Sequence, residues 1–169
     1  MLIKVAILGI DVDQVKKMRK KIVLITASVL ALIFASCGLP IRYTQVRGNG
    51  ELAEESRKVS GFNRVELSGI GTLIIEQGES ESLVISAEKN ILKFLESRVR
   101  GSTLFLGTQD FVNLQPTEDI TYRLSVTDLR DIETSGLGNV NLDSLETDQL
   151  TVRISGSGEV FIKSLFADT

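Results

Sequence analysis

A four-residue phrase, Ser-Gly-x-Gly, returns three times in this chain: at Ser68-Gly69-Ile70-Gly71, Ser135-Gly136-Leu137-Gly138 and Ser155-Gly156-Ser157-Gly158. A fixed shift of 20 residues carries the second copy onto the third together with its surroundings, setting Ile132 on Val152, Val140 on Val160, Leu142 on Ile162, Ser144-Leu145 on Ser164-Leu165 and Asp148 on Asp168. Stacked strand-turn-strand units produce such a period, because each unit buries its apolar face only against the next. Glycine fits the corner of each unit, where a sharp bend calls for positive φ. Alternation then points Ile132, Thr134, Val140, Leu142 and Leu145 inward, with Val152, Ile154, Val160, Ile162 and Leu165 one rung above, about 4.8 Å away. On the outside the same shift pairs Glu133 with Arg153 and Asp143 with Lys163. Each pair contributes only about 0.2–1 kcal/mol, so register is set by the inward row, which a one-residue slip would turn out to water.

The phrase could also carry chemistry, and its neighbours argue against that. A dinucleotide fingerprint needs a third glycine where the chain has Ile74, Asn141 and Phe161, and a phosphate-binding P-loop needs Gly-Lys-Ser/Thr. A nucleophile elbow would want a histidine, of which the chain has none. Ser68, Gly69, Gly71, Ser135, Gly136, Gly138, Ser155, Gly156 and Gly158 are therefore expected to be structural corners. Acids such as Asp128, Asp131 and Asp143 fall singly, without an Asp-x-Asp-x-Asp-Gly calcium loop, so no catalytic residue, metal or cofactor is expected.

From Phe62 onward short runs rich in β-branched residues alternate with Gly, Ser and Asp, the pattern of an all-β chain. One stretch, Glu88–Glu96, has apolar residues at helical spacing and predicts a short helix. The preceding segment, residues 37–56, is polar with Pro40, Gly48 and Gly50, and reads as a tether. Residues 18–36 have the order of a secretory signal: Arg19, Lys20 and Lys21, then the apolar run Ile22–Ala35, then small residues. Cys37, the single cysteine, follows in "FASC", which resembles the lipobox of bacterial lipoproteins, with Phe34 where leucine is commonest. Acylation of Cys37 would tie the protein to the membrane; the plainer reading is a free thiol in an ordinary secreted protein. Residues 1–17 precede anything a signal peptide needs and read as an upstream start, with Met18 the initiator. Residues 1–36 carry six Lys/Arg against two Asp, and residues 37–169 thirteen against twenty Asp/Glu. The acidic part has no basic cluster to meet a run of phosphates, which excludes nucleic acid as the expected partner.

Residues 57–169, through "VSGFNRVELSGIGTLIIEQGESESLVISAEKN" and "ITYRLSVTDLRDIETSGLGNV", resemble the head GIN domain family of auto-transporter adhesins. The resemblance implies a right-handed parallel β-helix-like solenoid on a secreted lipoprotein of the bacterial cell envelope. It also implies a role in adhesion without established catalytic residues. Family members usually carry further Gly-Ser-Gly coils, whereas this sequence halts at "SLFADT", partway round one, so a truncated chain is expected. Two function classes follow. One is a non-catalytic module, anchored to the outer membrane, that binds a surface glycan or protein, or pairs with itself through an open C-terminal edge. The other is a polysaccharide lyase or hydrolase of the parallel β-helix type.

Overall fold

The computed structural model describes residues 17–23 and 42–166. The chain divides into two units, Met1–Ile41 and Arg42–Thr169. In the first, residues 17–23 are helical and exposed. Cys37 and the rest of the expected signal lie outside the described residues.

Among its described residues the second unit has thirteen strands. Strands β1 (Thr44–Arg47) and β8 (Val112–Gln115) form a separate parallel pair. A five-stranded sheet runs β12 (Thr151–Gly156), β10 (Asp131–Gly136), β3 (Arg64–Gly69), β7 (Thr103–Thr108), β6 (Leu95–Arg100). A six-stranded sheet runs β13 (Val160–Phe166), β11 (Asn139–Glu146), β4 (Thr72–Gln77), β9 (Thr121–Val126), β5 (Ser82–Glu88), β2 (Leu52–Arg57). Alternating residues of both sheets meet in one core: Val65 and Leu67 of β3, Leu104 and Leu106 of β7 and Ile132 of β10 join Leu73 and Ile75 of β4, Leu83 and Ile85 of β5, Tyr122 and Leu124 of β9 and Val140 and Leu142 of β11. Each fully buried aliphatic side chain contributes about 1.5–3 kcal/mol, which is why this alternation, and not any surface pair, sets the register.

The 20-residue register holds residue by residue: Ile132 pairs with Val152, Ser135 with Ser155 and Gly136 with Gly156 on one sheet, and Val140 with Val160 and Leu142 with Ile162 on the other. The right-handed parallel β-helix-like solenoid does not form, however. The chain is all-β, but its sheets are sandwich-like and of mixed orientation. The cause lies between the first Ser-Gly-x-Gly and the second. There β6 folds back antiparallel on β7 through a tight turn at Gly101 (φ 59°), and β5 runs antiparallel to both β9 and β2. These reversed strands hold the places that further parallel coils would occupy.

Two local expectations are also corrected. The tether over residues 37–56 gives way at Thr44 to strand, because Leu52–Arg57 completes the hydrogen bonding of β5 and Val46 and Ala53 pack against the core. The helix expected over Glu88–Glu96 is one turn, Lys89–Leu92. Ile91 and Leu92 are buried beneath it, the Phe94 amide closes it on the Ile91 carbonyl at 2.8 Å, and Leu95 already belongs to β6.

Candidate functional site

The three Ser-Gly-x-Gly segments stand side by side, each leading from a strand of the five-stranded sheet to one of the six-stranded sheet: β3 to β4, β10 to β11, β12 to β13. Their backbones bond to one another across the turn. The Leu137 amide donates to the Gly69 carbonyl at 2.8 Å, Asn139 to Gly71 at 2.9 Å and Ser157 to Gly136 at 2.9 Å. Gly69, Gly71, Gly136 and Gly156 have φ between 95° and 141°, the region where side chains are strained. A Cβ on Gly138 would stand 2.6 Å from Leu67 Cδ2, and one on Gly158 would run into the Gly138 carbonyl. Inside the second corner the Thr134 hydroxyl, fully buried, donates to the Gly138 carbonyl at 2.9 Å. The serines face outward instead: Ser68 and Ser155 are exposed and Ser135 half-buried. Ser135→Ala should accordingly shift stability by no more than about 0.5 kcal/mol, read from the urea midpoint.

The acids singled out in the sequence do not converge. Arg153 reaches Glu133 at 3.3 Å and, diagonally, Asp131 at 2.6 Å; Arg130 meets Asp128 at 2.8 Å and Lys163 meets Asp143 at 2.9 Å. Asp131 is mostly buried, which its turn-like sequence context did not indicate. On the outer face of the six-stranded sheet one row crosses Phe161, Asn141, Ile74, Arg123, Val84 and Ser56. A shallow depression of about 130 Å³ opens there, lined by Ile74, Glu76, Ser82, Val84, Arg123 and Ser125.

Sequence reasoning missed one charged centre. The carboxylate of Glu88, wholly buried at the end of β5, accepts hydrogen bonds from the amides of Gly50 (2.6 Å), Thr117 (2.9 Å) and Glu118 (3.5 Å) and from the Thr117 hydroxyl (2.7 Å). Gly48 packs against this carboxylate so closely that any side chain there would occupy its place. Burial pushes the Glu88 pKa upward; the four hydrogen bonds outweigh it and hold the group down at about 2, against 4.5 ordinarily. With the folded pKa depressed, the stabilisation is fully present above about pH 4.5 and is lost as the pH falls towards 2. Urea midpoints of the wild type and Glu88→Gln should therefore differ at pH 7 and converge below pH 4.5. An unchanged gap down to pH 2 would exclude the ionised carboxylate as the cause.

Several solved structures share the fold. A putative adhesin from Bacteroides fragilis NCTC 9343 superposes with a TM-score of 0.68 at 25% identity, over 73% of this chain and 58% of its own. A putative lipid binding protein from Parabacteroides distasonis ATCC 8503 does so with 0.67 at 20% identity, over 72% and 53%. A putative adhesin from Parabacteroides merdae ATCC 43184 gives 0.58 at 20%, over 72% and 60%. The chain thus spans between 53% and 60% of the length of these three proteins. No curated protein matches it. The family model described as "Putative auto-transporter adhesin, head GIN domain" matches residues 61–169, and the chain belongs to that family.

Proposed function

We propose that this protein is a lipid-anchored module of the bacterial cell envelope that binds and does not catalyse, taking a surface glycan, a protein or a second copy of itself. The observation that carries the reading is a pair of strand edges, side by side, that none of the described residues covers. Among the described residues β12 and β13 each have a neighbour on one side only, and their apolar residues stand uncovered, Ile154 51% and Phe166 62% exposed. An incoming strand gains main-chain hydrogen bonds and covers those side chains at once. The ion pairs that occupy Asp128, Asp131, Glu133 and Asp143 support binding over acid–base chemistry. The adhesin description of the family points the same way.

Sedimentation of residues 38–169 should show association that strengthens with concentration. A stable monomer whose β13 amides are protected from hydrogen exchange would overturn self-pairing, and a glycan array run with polysaccharide-cleavage assays separates sugar binding from turnover. Anchoring is tested by itself: labelled palmitate should enter the protein, and Cys37→Ser should abolish the label and release the protein from membranes. An unmodified N-terminus at Met18 in the membrane fraction would refute it.

A further inference from the structure

Aromatic side chains are scarce in this chain, yet two of them touch in the open. Tyr43 and Phe111 are 61% and 59% exposed, with ring centroids 6.2 Å apart. They occupy the positions just before Thr44 and Val112, which pair in register as β1 and β8 begin, and the Thr44 amide donates to the Phe111 carbonyl at 2.7 Å. Along β1 and β8 Val46 and Leu114 pack against the core, whereas Tyr43 and Phe111, just ahead of the strands, stand exposed.

Phe111 has φ 61°, the one non-glycine with positive φ among the described residues. A bulky residue in the left-handed region is unusual, and outliers of this kind concentrate where a side chain is held for a purpose. Phe94 lies close by in the fold, since the Gln109 amide donates to its carbonyl at 2.9 Å, and Lys93 Nζ sits 5.0 Å from the Phe94 ring centroid. Arg42 is exposed next to Tyr43. Exposed Asp110 directly precedes Phe111, so the margin holds one acidic and two basic side chains around aromatic rings, and rings with net basic neighbours are what settles at a membrane–water interface.

What it would face follows from the chain. Cys37 lies six residues before Tyr43, a path that spans at most about 20 Å when fully extended. An acylated Cys37 therefore tethers the Tyr43 backbone within about 20 Å of the lipid anchor. A covalent anchor makes any second contact intramolecular, so a patch too small to bind vesicles unaided is enough to orient the domain. We propose that Tyr43 and Phe111, with Lys93 and Arg42 beside them, form a membrane-contact patch that lays this end of the domain on the lipid interface. The assignment rests on the acylation of Cys37 proposed above.

The native chain contains no tryptophan, so each single reporter is the sole indole. Acylated full-length protein carrying Phe111→Trp, Tyr43→Trp or, as a distant control, Phe161→Trp on β13 is reconstituted in phosphatidylethanolamine–phosphatidylglycerol vesicles with brominated acyl chains. Emission from the first two reporters should shift to the blue and be quenched by the brominated chains, and that from Phe161→Trp should not be quenched. Two separate reporters guard against one substitution disturbing the turn at Phe111. Acylated protein in which all three remain unquenched overturns the patch and leaves the anchor standing. A mature protein shown by mass spectrometry to lack acyl groups overturns the anchor, and the patch with it. Emission altered by soluble glycans but not by bromolipid overturns the membrane assignment in favour of a sugar platform.

Discussion

Gly136→Val should destabilise the domain by roughly 3 kcal/mol or more, a large share of the 5–15 kcal/mol that holds a typical domain together. Two costs combine. Gly136 has φ 95°, where a β-branched residue alone loses about 1–3 kcal/mol. Its Cβ would also stand 2.8 Å from the Gly69 carbonyl oxygen and 3.2 Å from the Gly69 nitrogen, and backbone held by strands on both sides cannot swing aside as a side chain can. Relief means parting β10 from β3 at the corner, and with it the Leu137–Gly69 and Ser157–Gly136 hydrogen bonds. Gly50→Ala provides the comparison: φ is 74° but nothing lies within 4 Å, so only backbone strain remains, about 1 kcal/mol. Equal urea midpoints for the two variants would show that close approach between corners contributes nothing.

Ile132→Ala should cost about 2–5 kcal/mol, and Val152→Ala less than about 1 kcal/mol, although the two residues hold equivalent places in the repeat and pair directly. Ile132 is fully enclosed, whereas Val152 is 38% exposed on the edge strand. Truncating the first leaves a cavity among packed neighbours; truncating the second removes methyl groups that are already partly in water, and water fills the space they leave. The comparison also reports on the free edge. If Val152→Ala approaches the cost of Ile132→Ala at high protein concentration, the edge is covered in solution by another molecule.

The pairing of Asp131–Gly136 with Thr151–Gly156 could be read from sequence because Ser-Gly marks the same point of both strands and each strand has only one parity that buries its apolar residues. The sandwich could not, since β2, β5 and β6 carry no repeat signature and nothing in "LAEESR" announces that it will complete the bonding of β5 in reverse. The helix is shorter than the spacing of Ile91, Leu92 and Leu95 predicts because Leu95 opens β6 instead of continuing the turn. Glu88 gave no signal: its donors lie far away in the chain, and an acid after Leu83, Ile85 and Ala87 looks like a solvent-facing strand end. Gly48, read as a linker glycine, was the one trace of the enclosed carboxylate. The touching rings of Tyr43 and Phe111 were equally silent, because only the pairing of β1 with β8 brings them together.

The position of β3 and β4 at the middle of their sheets sets an order of events in time. Each lies between two parallel neighbours that arrive much later in the chain, β7 and β10 for β3, β9 and β11 for β4. Neither can find a partner until long loops have closed, and the entropy of that closure must be met before any pairing offsets it. The β6–β7 hairpin, joined through Gly101, can form within about 1–10 μs, while the central strands assemble on the millisecond-to-second scale typical of non-local β folds. During that interval β3 and β4 remain unpaired with their apolar residues in water, and the chain is at its most vulnerable to association with other unfolded copies.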